Sequence, residues 1–273
     1  MNAVVVYSAV KSSTPTLTHV IASQGGRGVF AVTSLGDDVF VVRYISQVEV
    51  YDAETLTLQR HIAVHGLGLS FGLVACPNNN CLYASDYNNN IHRVELSGSN
   101  AVKKWSMDYT PAALSVNIAH NLIVAGWEAN KLQEYTTHGF FVREIYLQSG
   151  VTDAWHSIQL STGHYVVSQL TSPGVVSVVG VNGRIINIYG QSQMNYPTSL
   201  AVTKNDDILV ADQENNRILS INRSTGCVQE LALSVDGGIQ QPRGLSLDES
   251  RGRLYVVERG GQHRVLVFDG VQV

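Results

Sequence analysis

Charge is scarce in this sequence. Charged residues make up 15% of its 273 positions, against about a quarter in ordinary globular chains. Lysine and arginine total 18, aspartate and glutamate 22, for a net charge of −4. That balance excludes a generally basic nucleic-acid coat, though not a local basic patch. Hydrophobic residues still reach 44%, so the chain lacks the low hydrophobicity of a disordered segment. No apolar run approaches the roughly 18 residues of a membrane helix. Cysteine is limited to three residues, too few for a disulfide scaffold, and no second ligand pair is spaced for zinc. The opening stretch, MNAVVVYSAVKSS, has no basic region before its short apolar run, so no secretory signal is read there. These absences give the expectation of a cytoplasmic chain with no membrane contact, no metal and no other cofactor.

What is abundant is short β-branched or alternating apolar runs. Val39–Val42, Leu122–Ala125, Tyr165–Val167, Ile208–Ala211 and Leu254–Val257 are examples. Glycine numbers 24 and tyrosine 12, while proline is held to six. No segment carries a long helical period, which predicts an all-β chain.

The runs repeat. Pro197-Thr-Ser-Leu leads to Ile208-Leu-Val-Ala-Asp and then Asn215-Asn-Arg-Ile; Pro242-Arg-Gly-Leu leads to Leu254-Tyr-Val-Val-Glu and then His263-Arg-Val-Leu. A third copy runs from Phe71-Gly-Leu through Leu82-Tyr-Ala-Ser-Asp. Weaker copies begin at Gly26-Arg-Gly-Val, Pro111-Ala-Ala-Leu and Trp155-His-Ser-Ile. The anchoring apolar residues Val29, Leu73, Leu114, Ile158, Leu200 and Leu245 lie 41 to 45 residues apart. A unit of that length with four strands is a propeller blade, since a lone four-stranded sheet cannot bury both faces and radial packing can.

The expectation is a six-bladed β-propeller of four-stranded antiparallel blades, spanning 1–273 as one domain. Blades start near residues 25, 69, 111, 154, 197 and 242. Residues 1–24 complete the last blade, with Thr16–Ala22 as its outer strand, so that N- and C-terminal strands close the ring together. Val4–Ser8 also reads like a third strand, which leaves one candidate spare at the seam.

Pro-x-Gly-Leu, an apolar strand ending in Asp, then Asn-Asn-Arg-Ile resembles the NHL repeat of six-bladed propellers. The resemblance is strong in blades five and six, fair in two, and eroded in one, three and four. It implies a fold that serves as an RNA- or protein-binding module in tripartite-motif proteins and as the catalytic core of the peptidylglycine amidating lyase. Strictosidine-synthase-like and gluconolactonase-like propellers are more distant. Fold therefore does not settle function. In the lyase, histidines at the inner-ring position supply a zinc site; here only His156 stands at that position, short of the three ligands a catalytic zinc needs. His92 and His263 match the family's own histidine position, which implies a structural role.

One position per blade can be read on the face where the inner strands begin. The inner ring is Arg27, Phe71, Ala112, His156, Thr198 and Arg243. A second ring, just past each second strand, is Tyr44, Tyr87, Trp127, Gln169, Gln213 and Arg259. The residues before it are Arg43, Asp86, Gly126, Ser168, Asp212 and Glu258. Blades one and six thus offer Arg27, Arg43, Arg243 and Arg259, whose forks suit phosphate or carboxylate. Blades one to four offer Tyr44, Phe71, Tyr87, Trp127 and Trp155, whose faces stack on bases, sugars or apolar side chains.

These residues predict a ligand-binding face and a non-catalytic recognition module for a protein segment or structured RNA. An alternative is an enzyme acting on a small anionic substrate, with Arg27 and Arg243 orienting it and His156 moving a proton. A sugar-binding lectin using Trp127 and Tyr87 is a third reading. The equally plain alternative is that each arginine pairs with a nearby acid, as Arg259 with Glu258, and the aromatics fill gaps between blades. Cys76 and Cys81 frame a hairpin turn and are spaced to face each other, either as free thiols or as a disulfide.

Overall fold

The computed structural model describes residues 14–22, 28–43 and 46–271. Six four-stranded antiparallel sheets form a ring of blades. Blade one runs through Ala31–Leu35, Asp38–Val42, Gln47–Asp52 and Leu58–Ala63. Blade two follows with Leu73–Cys76, Cys81–Ser85, Asn90–Glu95 and Val102–Ser106, and blade three with Pro111–Val116, Leu122–Gly126, Lys131–Tyr135 and Phe141–Tyr146. Blade four is Ala154–Gln159, Tyr165–Gln169, Gly174–Val179 and Ile185–Met194; blade five is Pro197–Val202, Ile208–Asp212, Arg217–Ile221 and Val228–Glu230. Blade six takes Pro242–Asp248, Arg253–Glu258 and Val265–Asp269 from the C-terminal side and Thr16–Ile21 from the N-terminal side. The predicted closing strand is therefore in place. Val4–Ser8 lies outside the described residues, as do Arg27 and Tyr44.

Successive side chains on a strand point to opposite faces. In blade one Phe40 and Val42 pack toward blade two, while Val39 and Val41 pack toward blade six. In blade two Leu82 and Ala84 face blade one, and Cys81 and Tyr83 face blade three. Each second strand is buried on both sides for this reason, which is why it reads as an unbroken apolar run instead of an alternating one. The hydrophobic core lies between blades, in six clusters, one per blade interface among the described residues.

Polar ties run around the rim formed by the hairpins between first and second strands. Asn78 Nδ2 lies 2.5 Å from His120 Nε2, and the Ile118 amide donates to Gln159 Oε1 at 3.2 Å. Ser161 donates through its amide and hydroxyl to Asp206, and the Lys204 amide to Glu249. Arg251 crosses the seam from blade six to blade one, donating to the Gly36 carbonyl and to Asp37 Oδ1. Arg253 makes a second crossing, forked onto Asp269 and donating to the buried Ala53 carbonyl.

Cys76 and Cys81 are direct partners across the first two strands of blade two, and both are buried free thiols. Among the described residues no helix is long and apolar enough to cross a membrane.

Arg253 is buried, held in its own blade by Asp269 and tied to the neighbouring blade by the Ala53 carbonyl. Arg253→Gln should lower the free energy of unfolding by about 2 to 3 kcal/mol, the scale of hydrogen bonds to a charged group left unmade. Urea denaturation of the full chain measures this; a loss below about 0.5 kcal/mol would show that the seam does not depend on it.

Candidate functional site

The end of each second strand carries a residue that clamps the turn leading to the third. In blade two Asp86 accepts from the Asn88 and Asn90 amides and holds His92 Nε2 at 2.8 Å. In blade five Asp212 holds Asn215 and the Arg217 guanidinium, the latter at 2.8 Å. In blade six Glu258 pairs with Arg264 at 2.7 Å. Blade one reverses the charges: Arg43 donates to Glu49 at 2.6 Å and to the Tyr51 hydroxyl at 3.2 Å. Blade four uses a neutral version, in which Gln169 donates to Ser177 at 2.9 Å and accepts from the Thr152 amide. Blade three has no side chain there: any Cβ on Gly126 would collide with the Tyr109 ring.

This pattern corrects the register of blade four by one residue. Gln169, not Ser168, pairs with the first residue of the inner strand, Ala154, as Glu258 pairs with Pro242 and Asp212 with Pro197. Trp155, not His156, is then the counterpart of Arg243, and Leu170 the counterpart of Trp127. Blade one shifts further, because Ala31 pairs with Val42 and Phe30 precedes it at the ring position. The inner ring among the described residues is Phe30, Phe71, Ala112, Trp155, Thr198 and Arg243. No Pro-x-Gly marks the start of blade one's inner strand, so the sequence has no signal that picks Phe30.

Five aromatic rings interlock on the face where the inner strands begin. Phe71 lies 6.5 Å from Phe30, 5.3 Å from Tyr87 and 6.1 Å from Trp155, and Trp127 lies 6.5 Å from Tyr87 and 5.9 Å from Trp155. Most contacts are edge-to-face or tilted, the arrangement ring quadrupoles favour. The Arg243 guanidinium sits over Phe71 at 4.5 Å and beside Trp155 at 5.5 Å. No described carboxylate pairs with it. Burial pulls its pKa down to about 10, and the like charge of Arg259 adds to the effect.

Above this floor lies a cavity of about 520 Å³, within the usual range for small-ligand pockets. Its walls bring together Phe30, Leu69, Leu170 and Tyr196 with the half-exposed Tyr87 and Trp127, and with Arg259 and Glu214 at the polar side. Leu69 and Tyr196 carried no sequence signal, since each enters on a loop ahead of its inner strand, and Leu170 holds the second-ring position that the register of blade four hides. A second cavity of about 580 Å³ lies along the inner strands beneath, and Phe30, Phe71, Trp155 and Arg243 border both. These four side chains form the waist of the channel.

The structure brings Phe71, Tyr87, Trp127, Trp155, Arg243 and Arg259 to one cavity. Arg43 does not join them. It is buried, and Glu49 and Tyr51 accept from its Nε and Nη2. Arg259 does not pair with Glu258, whose carboxylate is taken by Arg264.

His156 faces the lower cavity and serves as a tie between blades. Its Nδ1 accepts the Leu200 amide at 2.9 Å, and a backbone hydrogen bond to Leu114 engages the other side of the ring. Burial pushes its pKa down to about 4. Among the described residues no three His, Cys, Asp or Glu side chains gather in a metal-ligating group.

The NHL-repeat family model matches residues 194–219, which cover the first two strands of blade five and the start of the third. No curated protein matches the sequence. Solved structures share the fold. A streptogramin B lyase aligns at a TM-score of 0.66 and 12% identity, covering 92% of this chain and 96% of that one. A virginiamycin B lyase from Staphylococcus aureus aligns at 0.65 and 9%, covering 93% and 99%. Hydrazine synthase from Kuenenia stuttgartiensis aligns at 0.66 and 18%, covering 96% and 80%. At these identities the likeness is one of fold.

Two outcomes follow from the site. His156 is neutral in the folded chain and has an ordinary pKa near 6.5 when unfolded, so the unfolded state binds the extra proton as pH falls. Stability should drop from pH 6.5 toward 4 by on the order of 3 kcal/mol from this group alone. Comparison of urea unfolding with His156→Gln, whose slope in that window should be shallower, tests it. Arg243 is a partly buried cation, without an acid partner among the described residues, whose stacking returns only about 1 to 2 kcal/mol. Arg243→Gln should therefore be at least as stable as the parent; a loss beyond about 2 kcal/mol would assign Arg243 to the scaffold.

Proposed function

We propose that this propeller is a non-catalytic recognition module that takes a protein segment on the channel face. The observation that carries this reading is Arg243: a partly buried cation with no anionic partner among the described residues, lying over Phe71 and Trp155 at the floor of an aromatic cavity. A protein does not gain stability from such a group, because burying an unpaired charge is costly. An incoming anion repays that cost through charge-assisted hydrogen bonds.

The rest of the cavity favours a mixed apolar and anionic ligand. Aromatic residues and arginine are the anchor types enriched at protein interfaces. Structured RNA is less favoured, because tracking a phosphate backbone needs a row of free cations. On this face Arg43, Arg217 and Arg264 are each paired with an acid, and Glu214 adds negative charge to the wall. Catalysis by His156 is less favoured too, since the Leu200 amide occupies its Nδ1 lone pair.

Trp127 and Trp155 make the site self-reporting through tryptophan fluorescence. A random-sequence peptide library should contain binders that shift this signal. Trp127→Ala should weaken those binders about 10- to 30-fold, the scale of a moderate interface anchor. A homopolymer RNA at about 50 mM salt should leave the signal unchanged; tight, steeply salt-dependent RNA binding instead would overturn the protein-segment reading.

A further inference from the structure

We infer that the segment recognised is a chain end: the free C-terminal carboxylate of a polypeptide, carried on an apolar last residue, seated on Arg243. This rests on the protein-segment reading above and narrows it.

The geometry restricts how a ligand reaches the cation. Arg243 lies at the waist where upper and lower cavities meet, and Phe30, Phe71 and Trp155 surround it there. A polypeptide entering from the aromatic side meets these four side chains at the floor of the cavity, where a chain end can sit against Arg243. The upper cavity is about 520 Å³, room for one drug-sized body. An internal acidic residue would need a chain running both in and out of that volume. A terminus needs only the inward strand.

The chemistry agrees with the geometry. Phe71 and Trp155 lie within stacking range of the guanidinium, at 4.5 and 5.5 Å. A contact with ring faces uses none of the guanidinium's N–H donors, which remain for a planar carboxylate to accept in two parallel hydrogen bonds. Arg259 stands close enough to repel Arg243, so the same anion relieves both charges. Phe30, Leu69 and Leu170 provide the apolar wall for the last side chain, and Tyr87 and Trp127, half exposed at the mouth, provide flat surfaces for the residues before it.

The test uses the full chain and two sets of short random-sequence peptides, identical except that one ends in a free carboxylate and the other in an amide. Affinity is read from tryptophan fluorescence. The carboxylate set should bind about 10- to 100-fold tighter, the scale of hydrogen bonds to a charged group. Enriched binders should end in an apolar residue. Arg243→Gln should remove the difference between the sets while thermal unfolding stays unchanged. Equal affinity for the two sets overturns the chain-end inference and leaves the protein-segment reading standing. Binding by neither set overturns both. Saturation by 3-phenylpropionate as tightly as by any peptide overturns both in favour of a small anionic ligand. The comparison of the two sets on the parent protein needs no variant, so a folding defect in Arg243→Gln does not blunt it.

Discussion

Every blade in this protein has two apolar faces and no way to bury either one alone. That constraint governs the rest of the structure. Val39 and Val41 on one side of a strand, and Phe40 and Val42 on the other, are each completed by a different neighbouring blade. A linear stack would leave two terminal faces bare. Closing the stack into a ring removes both, and the ring closes because Thr16–Ile21 pairs with Val265–Asp269. The polar contacts of Arg251 and Arg253 then hold blade six against blade one.

The ring creates a channel, and the channel creates a site only where symmetry fails. Six equivalent positions surround the waist, yet they hold Phe30, Phe71, Ala112, Trp155, Thr198 and Arg243. The clamp at each second strand's end shows the same freedom. Acid–base pairing in blades two, five and six, reversed charge in blade one, an amide in blade four and a tyrosine ring filling blade three all solve one local problem. Because the clamp is satisfied within its own blade, it contributes no charge to a ligand. Arg243 stands one ring inward, where no described residue supplies such a partner.

This explains why the fold was readable and the site only in part. The repeat length, the apolar second strands and the Asp…Asn-Asn-Arg turn are local patterns, and local patterns suffice to place six blades and a closing strand. Phe71, Tyr87, Trp127, Arg243 and Arg259 were found because their blades keep a recognisable frame. Blade four lacks Pro-x-Gly, so the pattern points to His156 where the ring residue is Trp155. Blade one lacks it as well, and no pattern points to Phe30. Leu170 occupies the repeated second-ring position but is hidden by the register shift of blade four, and the walls Leu69 and Tyr196 arrive on loops ahead of the inner strands.

Partner choice was the part no pattern could supply. Arg43 and Arg243 look alike in sequence, each an arginine at a strand end near the seam. One lies within 2.6 Å of a glutamate on the next strand; the other lies over two aromatic rings. By itself the sequence determined that strands of this length must pack as blades and that six blades must form a ring, since periodicity and burial are properties of short segments. Only the tertiary structure decided which charge is spent and which is free, because pairing depends on distances between residues far apart in the chain.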